Sequence, residues 1–457
     1  MIKARLNTFD VTMIVVSLVI GIGIFRTPAM VASATRTPVL FFAAWIAGGL
    51  ITLVGALTFA EIGARFPEPG SYYKVVAESY NSLLAFMLNW ANVFIINTAS
   101  GAGVALIGAE YLAPIILPEA ARTSQNILFL AFSMVIVLLL LNYIGIKSGA
   151  RTQNLLSLSK IILIVVLAAA GIFSRHSGAD IRQASLPLEN PWWLALGLGF
   201  ISVFFSYGGY QQTINLGADL KDSSKNLPRA VISGMLIVIA CYLLVNLAYW
   251  RVLGLPGMSS AKLVAAETAR VVFGEAGHKF VSLAIFLSAL GFLNAILMQL
   301  PRTYLAMAED RTLPGIFKKV NPRTQVQEFG LLFLGAFMLL SLAFLRTFEN
   351  IVNYVMFLDS LGIAVVASTV FVLRARAKKK GEPYRGFRVP LYPVLPALFI
   401  FFLLSITVNV LRSQPRQALL GSAFLVLGFP LYLAMRHLSR PSSNSGAGGI
   451  NIDRPAE

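Results

Sequence analysis

Apolar positions fall along this chain in long unbroken runs, not in the alternation of a strand or the one-sided stripe of a surface helix. Read in order, the runs predict twelve spanning helices, at roughly 10–34, 39–64, 82–117, 125–146, 153–173, 191–217, 230–253, 280–308, 329–345, 351–373, 392–411 and 418–438. Each is long enough, because a helix rises about 1.5 Å per residue and the hydrocarbon core is about 30 Å thick. An even number of spans places both termini on one side.

Two of the runs are interrupted. The first holds Gly21-Ile22-Gly23-Ile24-Phe25 at its centre, with Pro28 close behind; glycine weakens a helix and proline removes a hydrogen bond from the next turn. The sixth holds Phe204-Phe205-Ser206-Tyr207-Gly208-Gly209-Tyr210, again with two glycines. A break at membrane depth strands backbone N–H and C=O groups, which is tolerable only where they line a cavity or meet a ligand. A single glycine pair serves close helix packing equally well. Two interrupted spans at matching places in two halves point to a transporter site between them.

Composition narrows the class. Hydrophobic residues make up 57% of the chain and charged residues 12%, about half the charged share of a soluble domain, so this is a polytopic membrane protein. A net charge of +17 in a soluble protein would suggest nucleic acid, but here the basic residues sit in the loops and no nucleic-acid partner is expected. With the N-terminus inside, 23 Lys and Arg fall in cytoplasmic segments and 11 in outer ones, as the positive-inside rule requires. The expected location is the plasma membrane or a cell inner membrane, multi-pass, with both termini cytoplasmic. Residues 374–388 read as a basic cytoplasmic loop and 439–457 as a disordered tail, and the first run is too long for a cleavable signal. One Cys, Cys241, and three scattered His exclude a disulfide framework and a ligand cluster, so no metal, cofactor or disulfide-linked subunit is expected.

The motifs Gly21 to Phe25, Glu61-Ile-Gly-Ala-Arg-Phe-Pro-Glu-Pro-Gly70-Ser-Tyr-Tyr73, Phe205-Ser-Tyr-Gly-Gly209 and Asn226-Leu-Pro-Arg-Ala230 occur in this order. In them the chain resembles the amino acid/polyamine/organocation (APC) superfamily, and is most similar to bacterial relatives of the L-type amino acid transporters. The resemblance implies an all-α, LeuT-like five-plus-five inverted repeat, with residues 1–173 mirrored by 174–373 and peripheral spans in 374–438. It also implies alternating access with an amino acid held between the breaks. Relatives more usually carry Ser where this chain has Ile22, and Arg26 directly after the first motif is a second departure. Arg26 either snorkels, pairs with a carboxylate or attracts substrate in an outer vestibule, where it would repel cations.

The backbone chemistry suits a zwitterion. The start of the outer half-helix offers N–H groups to a carboxylate, and the end of the inner half-helix offers carbonyls to an ammonium. The N–H groups of Gly21, Ile22, Gly23 and Ile24 are assigned to the carboxylate. Carbonyls near Val19, Ile20, Phe204, Phe205 and Ser206 are assigned to the ammonium, with Tyr207 and Gly208 completing the second break. Phe205 is the candidate lid. Asn294 and Gln211 match substrate-proximal polar positions of relatives, or bond helix to helix. Lys160 either snorkels or, as the resemblance implies for sodium-independent members, stands in place of a sodium ion, tied to carbonyls near Gly21. Glu61 and Arg65, with the segment 219–229, form a charge network at the inner gate or a plain polar surface. Asp359, in mid-span, is too costly to face lipid and is expected to pair within the bundle.

The function expected is sodium-independent transport of neutral L-amino acids, by exchange or proton symport. A polyamine or cationic amino acid permease would want a carboxylate in the cavity, and Glu110, towards the outer end of span 3, is the candidate. A nontransporting sensor would keep the same breaks, but the short tail favours transport. No paired acid and base, phosphate loop or metal motif points to an enzyme.

Overall fold

The computed structural model describes residues 8–66, 71–144, 150–174, 185–218, 223–309, 313–324, 326–381 and 386–438. The expected tail at 439–457, the Pro67 to Gly70 portion of the second motif and residues 219–222 lie outside them. The described residues are helical, with no strand among them. In order the helices are α1 (Thr8–Val19), α2 (Thr27–Thr35), α3 (Pro38–Arg65), α4 (Ser71–Ser79), α5 (Ser82–Trp90), α6 (Asn97–Ile116), α7 (Ser124–Tyr143) and α8 (Ala150–Phe173). There follow α9 (Trp192–Tyr207), α10 (Ser223–Ser260), α11 (Val264–Glu309), α12 (Glu328–Leu345), α13 (Phe348–Lys380), α14 (Val394–Ser413) and α15 (Pro415–Leu438). Among the described residues nine helices are long and apolar enough to cross a membrane, and three shorter apolar ones lie at Thr8–Val19, Lys160–Phe173 and Trp192–Tyr207. Two of those three are short because they stop at a break.

Local chemistry sets the element ends. At two tight turns an arginine in the left-handed region, Arg36 (φ 57°) or Arg346 (φ 55°), ends one helix, and the next residue, Thr37 or Thr347, caps the following one. Each threonine hydroxyl accepts from the backbone N–H three residues on, at 3.3 and 3.2 Å, filling one of the orphan donors of a helix start. Between α5 and α6 the chain widens into a π-helical stretch, Ala91–Ile96. Widening disturbs the regular backbone bonding, and the Tyr304 hydroxyl donates to the Val93 carbonyl there at 3.2 Å.

Two expected loops are helical. Residues 374–380, expected as loop, continue α13; Lys and Arg are good helix formers and suit a helix C-terminus, and Arg376 donates to the Glu78 carbonyl at 2.7 Å. The stretch expected as an outer loop near 254–279 is also built of helical pieces, set off by sharp reversals at Gly254 (φ 65°, ψ 170°) and Gly274 (φ 73°, ψ −167°). Both are backbone shapes that essentially only glycine adopts.

Candidate functional site

The first break runs from Ile20 to Arg26, between α1 and α2, with a single 3-10 turn at Gly23–Phe25 inside it. The second follows Tyr207, where Gly208 (ψ 154°) leaves the helix and Gly209 (φ 111°) turns the chain into a 3-10 stretch, Tyr210–Ala218. The two breaks touch. A Cβ placed on Gly23 would lie 3.5 Å from both the Phe205 ring and the Ser206 hydroxyl, and one on Gly209 would lie 2.3 Å from the Leu18 carbonyl oxygen. The Thr27 and Ser206 hydroxyls are hydrogen-bonded across the gap, and Thr27 also donates to the Gly23 carbonyl at 3.0 Å.

Backbone hydrogen bonds decide which groups remain for a ligand. Gly21 donates to the Val19 carbonyl at 2.7 Å, which takes it out of the expected set of four donors. Phe25 and Arg26 donate to the carbonyls of Ile22 and Gly23. Among the described residues the N–H groups of Ile22, Gly23 and Ile24 have no acceptor, and the carbonyls of Ile20 and Gly21 have no donor. Three successive free N–H groups at a helix start make an anion-binding end. The side chains around them are apolar and buried, with Ile20, Ile22, Ile24 and Phe25 each 2% exposed or less.

The side chains of the second break divide by face. Phe204 stacks on Phe402 of α14 with centroids 4.8 Å apart, and Tyr207 packs between Trp45 and Tyr242. These two, one turn apart, point away from the first break, so only their backbone is placed to meet a substrate. Phe205 and Ser206 face it, and Phe205 meets Phe348 edge-on at 5.5 Å. The Gln211 side chain accepts from the Gly209 N–H at 2.8 Å, which makes it a support of the turn. Asn294 accepts from Asn142 of α7 at 2.8 Å and so bonds helix to helix.

Tyr242 and Tyr111 were not legible as site residues. The Tyr242 hydroxyl lies 3.0 Å from the carbonyls of both Val19 and Ser206, sharing its one proton between the ends of α1 and α9. It thereby occupies two of the acceptors assigned to the ammonium. The Tyr111 hydroxyl donates to the Phe25 carbonyl at 2.7 Å and pins the α2 side of the break to α6. The one available signal was a tyrosine inside an apolar run, whose hydroxyl needs a partner when buried. Tyr242→Phe is expected to cost about 1 kcal/mol of stability and to slow transport about tenfold, by freeing the two helix ends from one another. Thermal unfolding in detergent and substrate exchange in vesicles check it; wild-type exchange would remove Tyr242 from the mechanism.

Charged side chains flank the breaks. Arg26 is buried and held by Glu110 of α6 at 3.1 Å and Glu349 of α13 at 2.5 Å, beside the Phe348 ring. Of the alternatives read from sequence, the carboxylate pair is the one formed. At the opposite end, the fully buried Glu61 carboxylate accepts from Arg65 (2.7 Å), from Arg374 twice (2.9 and 2.6 Å) and from the Val389 N–H (2.6 Å). Arg374, from the helix extension expected as loop, was the missed partner. Lys160 is buried with Nζ 5.5 Å from the Phe292 ring of α11. Among the described residues no hydrogen bond joins it to carbonyls near Gly21, because α8 lies against α10 and α11. A groove of about 600 Å³ lined by Ile316, Lys319, Asn321, Arg323, Phe329 and Leu332 sits between the segment after α11 and the start of α12 and has no part in the breaks.

The chain is similar to known transporters over nearly its whole length. The chain is 29% identical to the serine/threonine exchanger SteT of Bacillus subtilis (strain 168), over 95% of this chain and 97% of that one. It is 27% identical to the human large neutral amino acids transporter small subunit 2, over 94% of this chain and 80% of that protein. To the human cystine/glutamate transporter it is 24% identical, over 94% and 85% respectively. The amino acid permease family model matches residues 6–440, nearly the whole chain, and the protein therefore belongs to the amino acid permease family.

Proposed function

We propose that this chain carries neutral L-amino acids across the cytoplasmic membrane without sodium, by alternating access, as an exchanger or a proton symporter. The proposed architecture is twelve spans in a five-plus-five inverted repeat with cytoplasmic termini. One observation carries the reading: free N–H groups of Ile22, Gly23 and Ile24 beside free carbonyls of Ile20 and Gly21, in one buried apolar break. Such a pairing suits the carboxylate and ammonium of a zwitterion, and leaves the side chain to apolar walls.

The ion pairs support a neutral substrate. Glu110, the carboxylate a polyamine or cationic amino acid would want, is engaged by Arg26. Arg26 in turn is held by two carboxylates, which disfavours the acidic substrates that the name of the cystine/glutamate transporter includes. The names of the serine/threonine exchanger and the large neutral amino acids transporter suggest serine, threonine and leucine as first substrates. Lys160 is the proposed fixed cation of the sodium-independent members, and Phe205, against Phe348, the proposed lid.

Arg26, Glu110 and Glu349 form the proposed outer lock, joining the break to α6 and α13. The Glu349 side chain is 44% exposed and the Glu110 side chain 14%, so solvent screens the first pair more. Arg26→Gln, which strands a buried carboxylate, is expected to slow exchange about tenfold. Glu349→Gln is expected to slow it only about twofold. Equal effects of the two variants would contradict this ranking.

Vesicles containing the purified protein test the main reading. Radiolabelled serine, threonine and leucine should enter faster when unlabelled amino acid is inside, with or without sodium. Uptake of polyamine or arginine in their place would overturn the assignment.

A further inference from the structure

Asp359 lies in the middle of α13, ten residues beyond Glu349 and fifteen before Arg374. The positions one turn away on its face, Val355, Met356, Gly362 and Ile363, are all buried, so it faces the bundle interior. An ionised carboxylate in such a place is costly unless a cation or several donors answer it. The expected partner is missing: among the described residues Asp359 has no ion pair and no hydrogen bond.

Two phenols lie within electrostatic range of it instead. Its charge reaches Tyr72 of α4 and Tyr210, the first residue after the second break. The Tyr72 hydroxyl lies 3.7 Å from where a Cβ on Gly362 would stand, one turn from Asp359. Both rings lean on Phe59 of α3, at 6.5 and 6.0 Å. The Tyr210 hydroxyl is buried with no hydrogen-bond partner among the described residues. The face of α13 is also met by α3, α6, α9, α12, α14 and α15, and among the described residues none of these brings a charged group to the carboxyl. Asp359 and Tyr72 are themselves half-buried.

We propose that Asp359, with the hydroxyls of Tyr72 and Tyr210, is a proton-binding site that couples amino acid transport to the proton gradient. The inference rests on the carrier reading and deepens it. A carboxyl that takes one proton from the outer side is neutral and needs no donors. Once it gives that proton to the cytoplasm, the carboxylate draws on both phenol hydroxyls, pulling Tyr210 and the turn at Gly209 towards α13. The charge on one side chain is thereby linked to the geometry of the second break.

The test uses full-length protein in vesicles and two assays on each variant. Exchange of labelled for unlabelled serine needs no proton and reports folding and substrate binding. Accumulation into empty vesicles under an inward proton gradient reports coupling. Asp359→Asn is expected to keep exchange within about threefold and to lose gradient-driven accumulation at least tenfold. Tyr210→Phe, which removes one donor and almost no volume, is expected to lower accumulation about tenfold with exchange unchanged. If Asp359→Asn does not fold, Tyr210→Phe decides by the same criterion. Accumulation retained by the variants overturns the proposal, as does a wild type driven by a sodium gradient or by neither ion. Absence of exchange in the wild type would instead overturn the carrier reading.

Discussion

Gly209→Ala is expected to abolish transport, by about a hundredfold or more, while Gly21→Ala is expected to leave exchange within about threefold. The contrast follows from what a methyl group meets at each place. At Gly209 it would stand 2.3 Å from the Leu18 carbonyl oxygen and 2.9 Å from its carbon, both backbone atoms, at a φ of 111°. The backbone shape alone costs about 1–3 kcal/mol for a residue with a side chain. The contact cannot be relieved by turning a rotamer, so the end of α1 must move away from the second break by about an ångström, a displacement that is able to cost a catalytic site about a hundredfold. That movement would also part the Val19 and Ser206 carbonyls that Tyr242 bridges. At Gly21 the nearest atoms are 3.9 and 4.0 Å away, ordinary contact distance. Exchange rate per folded molecule, with thermal unfolding as control, checks both variants, and wild-type exchange in Gly209→Ala would show that the breaks need not touch.

How much of this site could be read in advance depended on whether one residue carried its own signal. The breaks could, because a glycine pair within an apolar run is a local pattern. The predicted ends of the third run, 82–117, lie within a residue of the helical stretch from Ser82 to Ile116 for the same reason. Contacts across the chain had no such signal. Tyr242, Tyr111 and Thr27 serve the breaks through a single hydroxyl each, and a tyrosine in an apolar run looks alike whether its hydroxyl meets a carbonyl 223 residues away or a neighbour. Phe204 and Tyr207 were grouped with Phe205 and Ser206 by adjacency, although a helix turns adjacent residues to different faces. Arg374 was missed because a run of basic residues reads as loop, whereas here it prolongs a helix until its guanidinium reaches Glu61. Asp359 was expected to pair within the bundle, because that is the commonest answer to a buried charge; among the described residues two phenols lie within electrostatic range of it.

Glu61→Ala is expected to be the most destabilising change at the end of the bundle that the charge count assigns to the cytoplasm. One carboxylate there serves three elements: Arg65 on its own helix, Arg374 on α13, and the Val389 N–H on the segment leading to α14. Truncation leaves two guanidinium groups side by side and a buried N–H without an acceptor. Removing one partner of a buried pair costs about 3–5 kcal/mol, and the loss falls at this end because, among the described residues, Arg374 retains only the Val389 carbonyl at 3.3 Å and the Tyr392 ring at 3.8 Å. Glu61→Gln keeps the shape and one acceptor oxygen, so it should recover part of the stability but not the neutralisation of two cations. With α3 and α13 untied, the inner end should open more readily, and a thiol reagent added from the cytoplasmic side should modify a cysteine introduced at Ile214 at least tenfold faster. In Glu61→Gln the melting temperature should fall by less than in Glu61→Ala while the labelling rate rises nearly as far. That split separates a gate from a mere fastening, because a fastening would move stability and accessibility together. Unchanged labelling in both variants, with stability lost, would leave the Glu61 cluster a structural clasp and place the inner gate elsewhere.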